Sequence, residues 1–81
     1  MKAYVNIETK PGTVFQVVNH MREKSKEIIS ADAIYGRFDA VLVVEAPTLD
    51  DIDQLVYTII QSDPNVTRTE TSIVLGKRNS K

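Results

Sequence analysis

Few residues in this chain have chemistry to offer, and their spacing limits what they can do. His20 is the only histidine, and with no cysteine among the 81 residues it lacks both a partner for a metal site and a thiol to activate. It falls in a helical pattern roughly a third of a turn from the apolar stripe, which suits a surface or interfacial structural role better than catalysis. Asp50, Asp51 and Asp53 form the only acidic cluster. Carboxylates in a first helical turn answer the positive end of the helix dipole, and this spacing brings too few oxygens together for a hard cation. No catalytic residue, metal or cofactor is expected from these groups.

Two other features suit recognition. Gly36-Arg37-Phe38-Asp39 separates two strand patterns, and two readings of it stand. It is a reverse turn in which Gly36 supplies a positive φ and Asp39 accepts hydrogen bonds from nearby amides, or it is a recognition loop. In the second reading its amides and carboxylate bind the zwitterionic head of a small molecule over an aromatic ring. The last strand pattern places Thr67, Thr69 and Thr71 on one face. Threonine is a good strand former, and its hydroxyl also donates and accepts, which suits a ligand carrying both ammonium and carboxylate groups.

The elements that must position these residues follow a βαββαβ order. Residues 3–9 alternate, with Ala3, Val5 and Ile7 on one face and Tyr4, Asn6 and Glu8 on the other. Lys10-Pro11-Gly12 breaks the strand, and Thr13 is placed to cap a helix whose stripe is Val14, Val17, Val18 and Met21. Strand chemistry returns between Glu27 and Tyr35. The next strand, 40–46, contains four consecutive apolar residues, Val41-Leu42-Val43-Val44, which predicts burial on both faces. In an isolated split-βαβ domain both helices cover one face of the sheet, so a partner must cover the other.

Thr48-Leu49-Asp50-Asp51 resembles a capping box, and Ile52, Leu55, Val56, Ile59 and Ile60 give a second helical stripe ended by Ser62-Asp63-Pro64-Asn65. Residues 66–75 form a last strand, and Lys77, Arg78 and Lys81 lie in a solvated basic tail. With a net charge of −1 and interspersed signs there is no footprint for phosphate backbones, so direct nucleic-acid binding is not expected. No apolar run is long enough for a signal peptide or membrane span, and the lack of cysteine fits a reducing cytoplasm.

The stretch from Gly36 to Val44, then Leu49, Leu55 and Ile59, then Asn-Val-Thr-Arg-Thr-Glu-Thr-Ser-Ile-Val-Leu over 65–75, resembles the effector-binding RAM domain (regulation of amino acid metabolism) of the Lrp/AsnC transcriptional regulators. Ala3-Tyr4-Val5-Asn6-Ile7 and Pro11-Gly12 fit the same pattern. The resemblance implies an α+β fold, a ferredoxin-like βαββαβ plait with a four-stranded antiparallel sheet. Sheets pair face to face into a dimeric α+β barrel, with Tyr4, Val41, Leu42, Val43 and Val44 at the dimer interface, and dimers close into octamer or decamer rings.

It further implies a small amino acid effector bound between dimers by Gly36, Arg37, Phe38 and Asp39 of the loop and Thr69 and Thr71 of the last strand. Met1 stands just ahead of the first strand, where full-length regulators carry a helix-turn-helix domain. The chain therefore resembles the stand-alone RAM proteins, with residues 1–76 as the domain, 77–81 as the tail, and full-length Lrp/AsnC regulators as possible partners. Two alternatives remain open: an assembly partner without a ligand, and a small dimeric α+β barrel enzyme using His20 as its acid or base.

Overall fold

A computed structural model describes residues 1–76; the basic tail at 77–81 lies outside the described residues. Strand β1 (Lys2–Thr9) leads into helix α1 (Val14–Lys24), then β2 (Ile28–Ala33) and β3 (Ala40–Glu45). Helix α2 (Leu49–Leu55) runs directly into a π-helical turn (Val56–Ile60), and β4 (Val66–Ile73) ends the described fold. The sheet order is β2-β3-β1-β4 with every neighbouring pair antiparallel, which is the ferredoxin-like plait that the order of periods predicts.

The core lies between the helices and one sheet face. Ala3, Val5 and Ile7 of β1 and Leu42 and Val44 of β3 meet Val17 and Met21 of α1 and Ile52 and Ile60 of the second helical segment, all essentially inaccessible to solvent. Full burial of an aliphatic side chain of this size contributes about 1.5–3 kcal/mol, so this layer holds the domain together.

Within one protomer the two faces of β3 differ. Leu42 and Val44 sit on the helix side and are fully buried within one protomer, whereas Val41 and Val43 are half-buried on the open face. Strict alternation along a pleated strand sends neighbours to opposite sides. The open-face valines are shaded because β3 is an interior strand, with Tyr4 and Asn6 opposite them on one side and Ser30 and Asp32 on the other. Of the residues expected at a dimer interface, Leu42 and Val44 are therefore core residues, and Tyr4, Val41 and Val43 remain on the open face.

Two turn expectations are also corrected. Lys10 to Thr13 forms a type II turn: the Thr13 amide donates to the Lys10 carbonyl at 3.1 Å, Pro11 takes the second position, and Gly12 has φ +82°. The Thr13 hydroxyl donates to the same Lys10 carbonyl at 2.7 Å, so it closes the turn and makes no cap bond to α1. Gly36, expected at positive φ, does not adopt it. The connection between β2 and β3 is closed by the Ile34 amide donating to the Asp39 carbonyl at 2.9 Å, and a loop of this length does not need the left-handed geometry of a two-residue hairpin.

The second helix begins as expected. The Thr48 hydroxyl accepts from the Asp51 amide at 3.2 Å and donates to its carboxylate at 2.9 Å. Its end differs: the Gln61 amide donates to the Val56 carbonyl at 2.7 Å, five residues back, which widens the last turn. Ile59 consequently sits at the margin of the core while Ile60 is fully buried.

Candidate functional site

The loop between β2 and β3 is anchored through Asp39. Its amide donates to the Ile7 carbonyl at 3.0 Å, and its carboxylate Oδ2 accepts from the Thr9 amide at 2.8 Å, with the Thr9 hydroxyl 3.5 Å away. The carboxylate thus fastens the loop to the end of β1, where the register with β4 shifts and the Thr9 amide lies outside the regular ladder. Among the described residues Oδ1 makes no hydrogen bond, so one oxygen of Asp39 remains available to a cationic group.

Phe38 is buried outside the main core cluster. The Arg68 guanidinium lies 5.7 Å from its ring centroid, a cation–π arrangement, and Arg68 Nη1 is 3.8 Å from Glu8 Oε2. The loop therefore presents no free aromatic platform at Phe38, because Arg68 occupies the approach. Gly36 and Arg37 are exposed at the tip, beside a fully exposed Tyr35.

The threonines lie elsewhere. Thr69 and Thr71 stand opposite Ile7 and Val5, so their side chains point to the helix side of edge strand β4. The Thr69 hydroxyl accepts from Gln61 Nε2 at 2.9 Å, and an open cleft of about 240 Å³ is lined by Gln61, Val66, Thr67, Arg68 and Thr69. Thr67 is the extra residue of a β-bulge, with its hydroxyl donating to the Glu8 carbonyl at 3.2 Å, and so leaves the row expected of it.

β1 separates the two halves of the expected site. With strands spaced about 4.8 Å apart, the loop end of β3 and the residues of β4 are about 10 Å from one another across β1. Among the described residues Asp39 bonds to Thr9 and Thr69 to Gln61, and no hydrogen bond joins the two sides.

Three residues of this region have no place in the expectations drawn from sequence. Arg68 was legible in principle, since alternation sets it opposite Glu8 once the register of β1 and β4 is known. Thr9 carried no signal, and Gln61 is aimed at Thr69 by the π-helical turn, which no apolar spacing announced. His20 is 61% exposed, with Nδ1 3.5 Å from Oδ2 of Asp63, whose side chain is 5% exposed and whose Oδ1 accepts from the Asn65 amide at 2.9 Å. The histidine thus links α1 to the turn that ends the second helix. Among the described residues no group of metal-ligating side chains converges, and Asp51 serves the helix cap. No helix of the described residues is long and apolar enough to cross a membrane.

A family model described as the Lrp/AsnC ligand binding domain matches residues 2–80. A search of curated proteins finds no match. Among solved structures, the hypothetical protein PHS023 from Pyrococcus horikoshii is similar at 28% identity and a TM-score of 0.85, covering 94% of this chain and 90% of that one. TTHA0845 from Thermus thermophilus has 23% identity and a TM-score of 0.88, covering 98% of each chain. The transcriptional regulator NMB0573 from Neisseria meningitidis, solved as its L-Met complex, has 18% identity and a TM-score of 0.82; 98% of this chain spans 52% of that one. At their identities the latter two likenesses speak for the fold alone, and the family model, which extends over nearly every residue, speaks for more: this chain belongs to the Lrp/AsnC ligand-binding domain family.

Proposed function

We propose that this chain is an amino-acid-sensing module that works as an oligomer, with the effector bound at the seam between dimers. The observation that carries the reading is the division of the site. Asp39, with one carboxylate oxygen unused among the described residues, and the hydroxyls of Thr69 and Thr71 lie on opposite sides of β1. They can enclose one small zwitterion when a neighbouring copy brings its own loop or edge strand alongside. The L-Met complex of NMB0573 supports an amino acid as the class of effector.

Dimerisation is assigned to the open sheet face through Tyr4, Val41 and Val43, and octamer or decamer rings would bring dimers together. A ligand at the seam shifts assembly, or contact with a full-length Lrp/AsnC regulator, by its differential affinity for the alternative states. Direct DNA binding and catalysis form no part of this function, and the cytoplasm is where such a module would act.

A thermal-shift screen against the protein amino acids tests the proposal, since a ligand bound only to the native form stabilises it by mass action. One or a few amino acids are expected to raise the melting temperature in proportion to the logarithm of concentration. If none does while the assembly stays intact by light scattering, the sensing role fails and an assembly role without ligand stands.

A further inference from the structure

Arg68 and Asp39 meet the same short stretch of β1 from its two sides. The Asp39 amide donates to the Ile7 carbonyl and its Oδ2 accepts from the Thr9 amide, while Arg68 stands opposite Glu8 in the pairing of β1 with β4. The threonine hydroxyls of β4 are short and lie on the helix side, whereas the Arg68 side chain lies on the open face and is long enough to cross β1. Its guanidinium carbon reaches to 5.7 Å from the centre of the Phe38 ring, and Phe38 directly precedes Asp39. A cation and an anion thus stand at one corner of a single protomer. Among the described residues they form no ion pair with each other.

Neither group is used up by the fold. Oδ1 of Asp39 makes no hydrogen bond among the described residues, and the Arg68 guanidinium makes none there either. Its Nη1 is 3.8 Å from Glu8 Oε2, beyond hydrogen-bond length, and the two side chains are 55% and 40% exposed. An exposed ion pair of that length is weak. Arg22 is the contrast, since its Nε donates to the Ala31 carbonyl at 3.0 Å and ties α1 to β2. The buried Phe38 ring meets the face of the Arg68 guanidinium, an arrangement that leaves the in-plane N–H groups free to bond.

We propose that Arg68 anchors the carboxylate of the amino acid effector while Asp39 Oδ1 takes its ammonium, and that Glu8 holds the anchor until the effector displaces it. This assignment rests on the sensing role proposed above and names the group that recognises each end of the ligand. An α-amino acid carries two opposite charges on one carbon, and this corner offers one partner for each. The effector's side chain is left to face the seam.

The exchange at Arg68 favours the ligand. A guanidinium receives a carboxylate through two parallel N–H bonds, which outweigh a single long contact to Glu8. Glu8 is therefore an internal competitor, and it keeps the cation paired when the site is empty. An analogue whose carboxylate has become an amide cannot displace Glu8, so it gains nothing from Arg68. Selection for the free acid follows from this competition rather than from the shape of the pocket.

Calorimetric titration of the full chain with the protein amino acids and their α-amides tests the assignment, in a buffer acidic enough to keep both ammonium groups charged. The parent is expected to prefer an acid over its amide. Arg68→Gln is expected to weaken the acid by on the order of tenfold or more, the range for a charge-assisted hydrogen bond, and to leave the amide unchanged. Glu8→Gln removes the competitor and is expected to tighten the acid by about two- to five-fold, a gain that a damaged fold cannot mimic. A parent that binds no amino acid overturns the sensing role and the anchor together. A parent that binds acid and amide alike, an Arg68→Gln protein that loses both equally or neither, or a Glu8→Gln protein that binds no tighter overturns the anchor and leaves the sensing role standing.

Discussion

Replacing Asp39 separates its structural work from recognition. Its Oδ2 accepts from the Thr9 amide at 2.8 Å, a partly buried hydrogen bond to a charged acceptor. Asp39→Ala removes the acceptor and leaves an amide at a register shift without its partner; water reaches this half-exposed position and offsets part of the loss. The expected cost is about 1–2 kcal/mol, the range for a hydrogen bond to a charged group with partial solvent compensation. In a domain of this size that lowers the melting temperature by roughly 5–15 °C.

Asp39→Asn keeps an oxygen in the same place and removes the charge, so it should retain at least half of the lost stability. Its binding of an amino acid ammonium should weaken as much as that of the alanine variant. Urea denaturation of the three proteins, with ligand titration under conditions where all are folded, measures both effects. If Asp39→Ala is as stable as the parent within a few tenths of a kcal/mol, the staple assigned to this carboxylate is not holding the loop. If Asp39→Asn binds the amino acid as well as the parent does, the charge plays no part in recognition.

Other expectations concern the backbone and the two faces of β3. Gly12→Ala, at φ +82°, should destabilise by about 1–2 kcal/mol in chemical denaturation. Gly36→Ala, at ordinary φ with open space around the added methyl, should be neutral or stabilise by up to about 0.5–1 kcal/mol. Leu42→Ala empties a fully buried core position and should cost about 2–5 kcal/mol, whereas Val43→Asp on the open face should change oligomer mass with a loss of protomer stability under about 1 kcal/mol. Equal stability losses at positions 42 and 43 would contradict the division of β3 into a core side and an open side.

The features that the sequence predicts correctly depend on residues close together in the chain. Alternation of Ala3, Val5 and Ile7 with Tyr4 and Asn6 placed β1 and its buried side correctly. The Thr48 and Asp51 cap needs only residues three apart, and the stop at Ser62-Asp63-Pro64 follows from proline's missing amide. Thr13 failed as a cap because the Lys10 carbonyl, brought within reach by the Gly12 turn, competes for its hydroxyl. The candidate site was legible as residue types and not as an arrangement. In one of the two readings of the loop Phe38 is a platform, and Arg68, thirty positions away, lies over its ring.

The amino-acid sequence by itself determined the order of elements, the faces of the first strand and the start of the second helix, and its motifs resembled those of the family to which the chain belongs. Each of these rests on periodicity or on contacts within a turn. The tertiary structure alone decided that Leu42 and Val44 look inward while Val41 and Val43 look out, that Asp39 is engaged by Thr9, and that Arg22 of α1 bonds the Ala31 carbonyl on the outer side of β2. Those outcomes depend on strand register and on pairs of residues far apart in the chain, and a run of four apolar side chains is compatible with either facing until the neighbouring strands are in place.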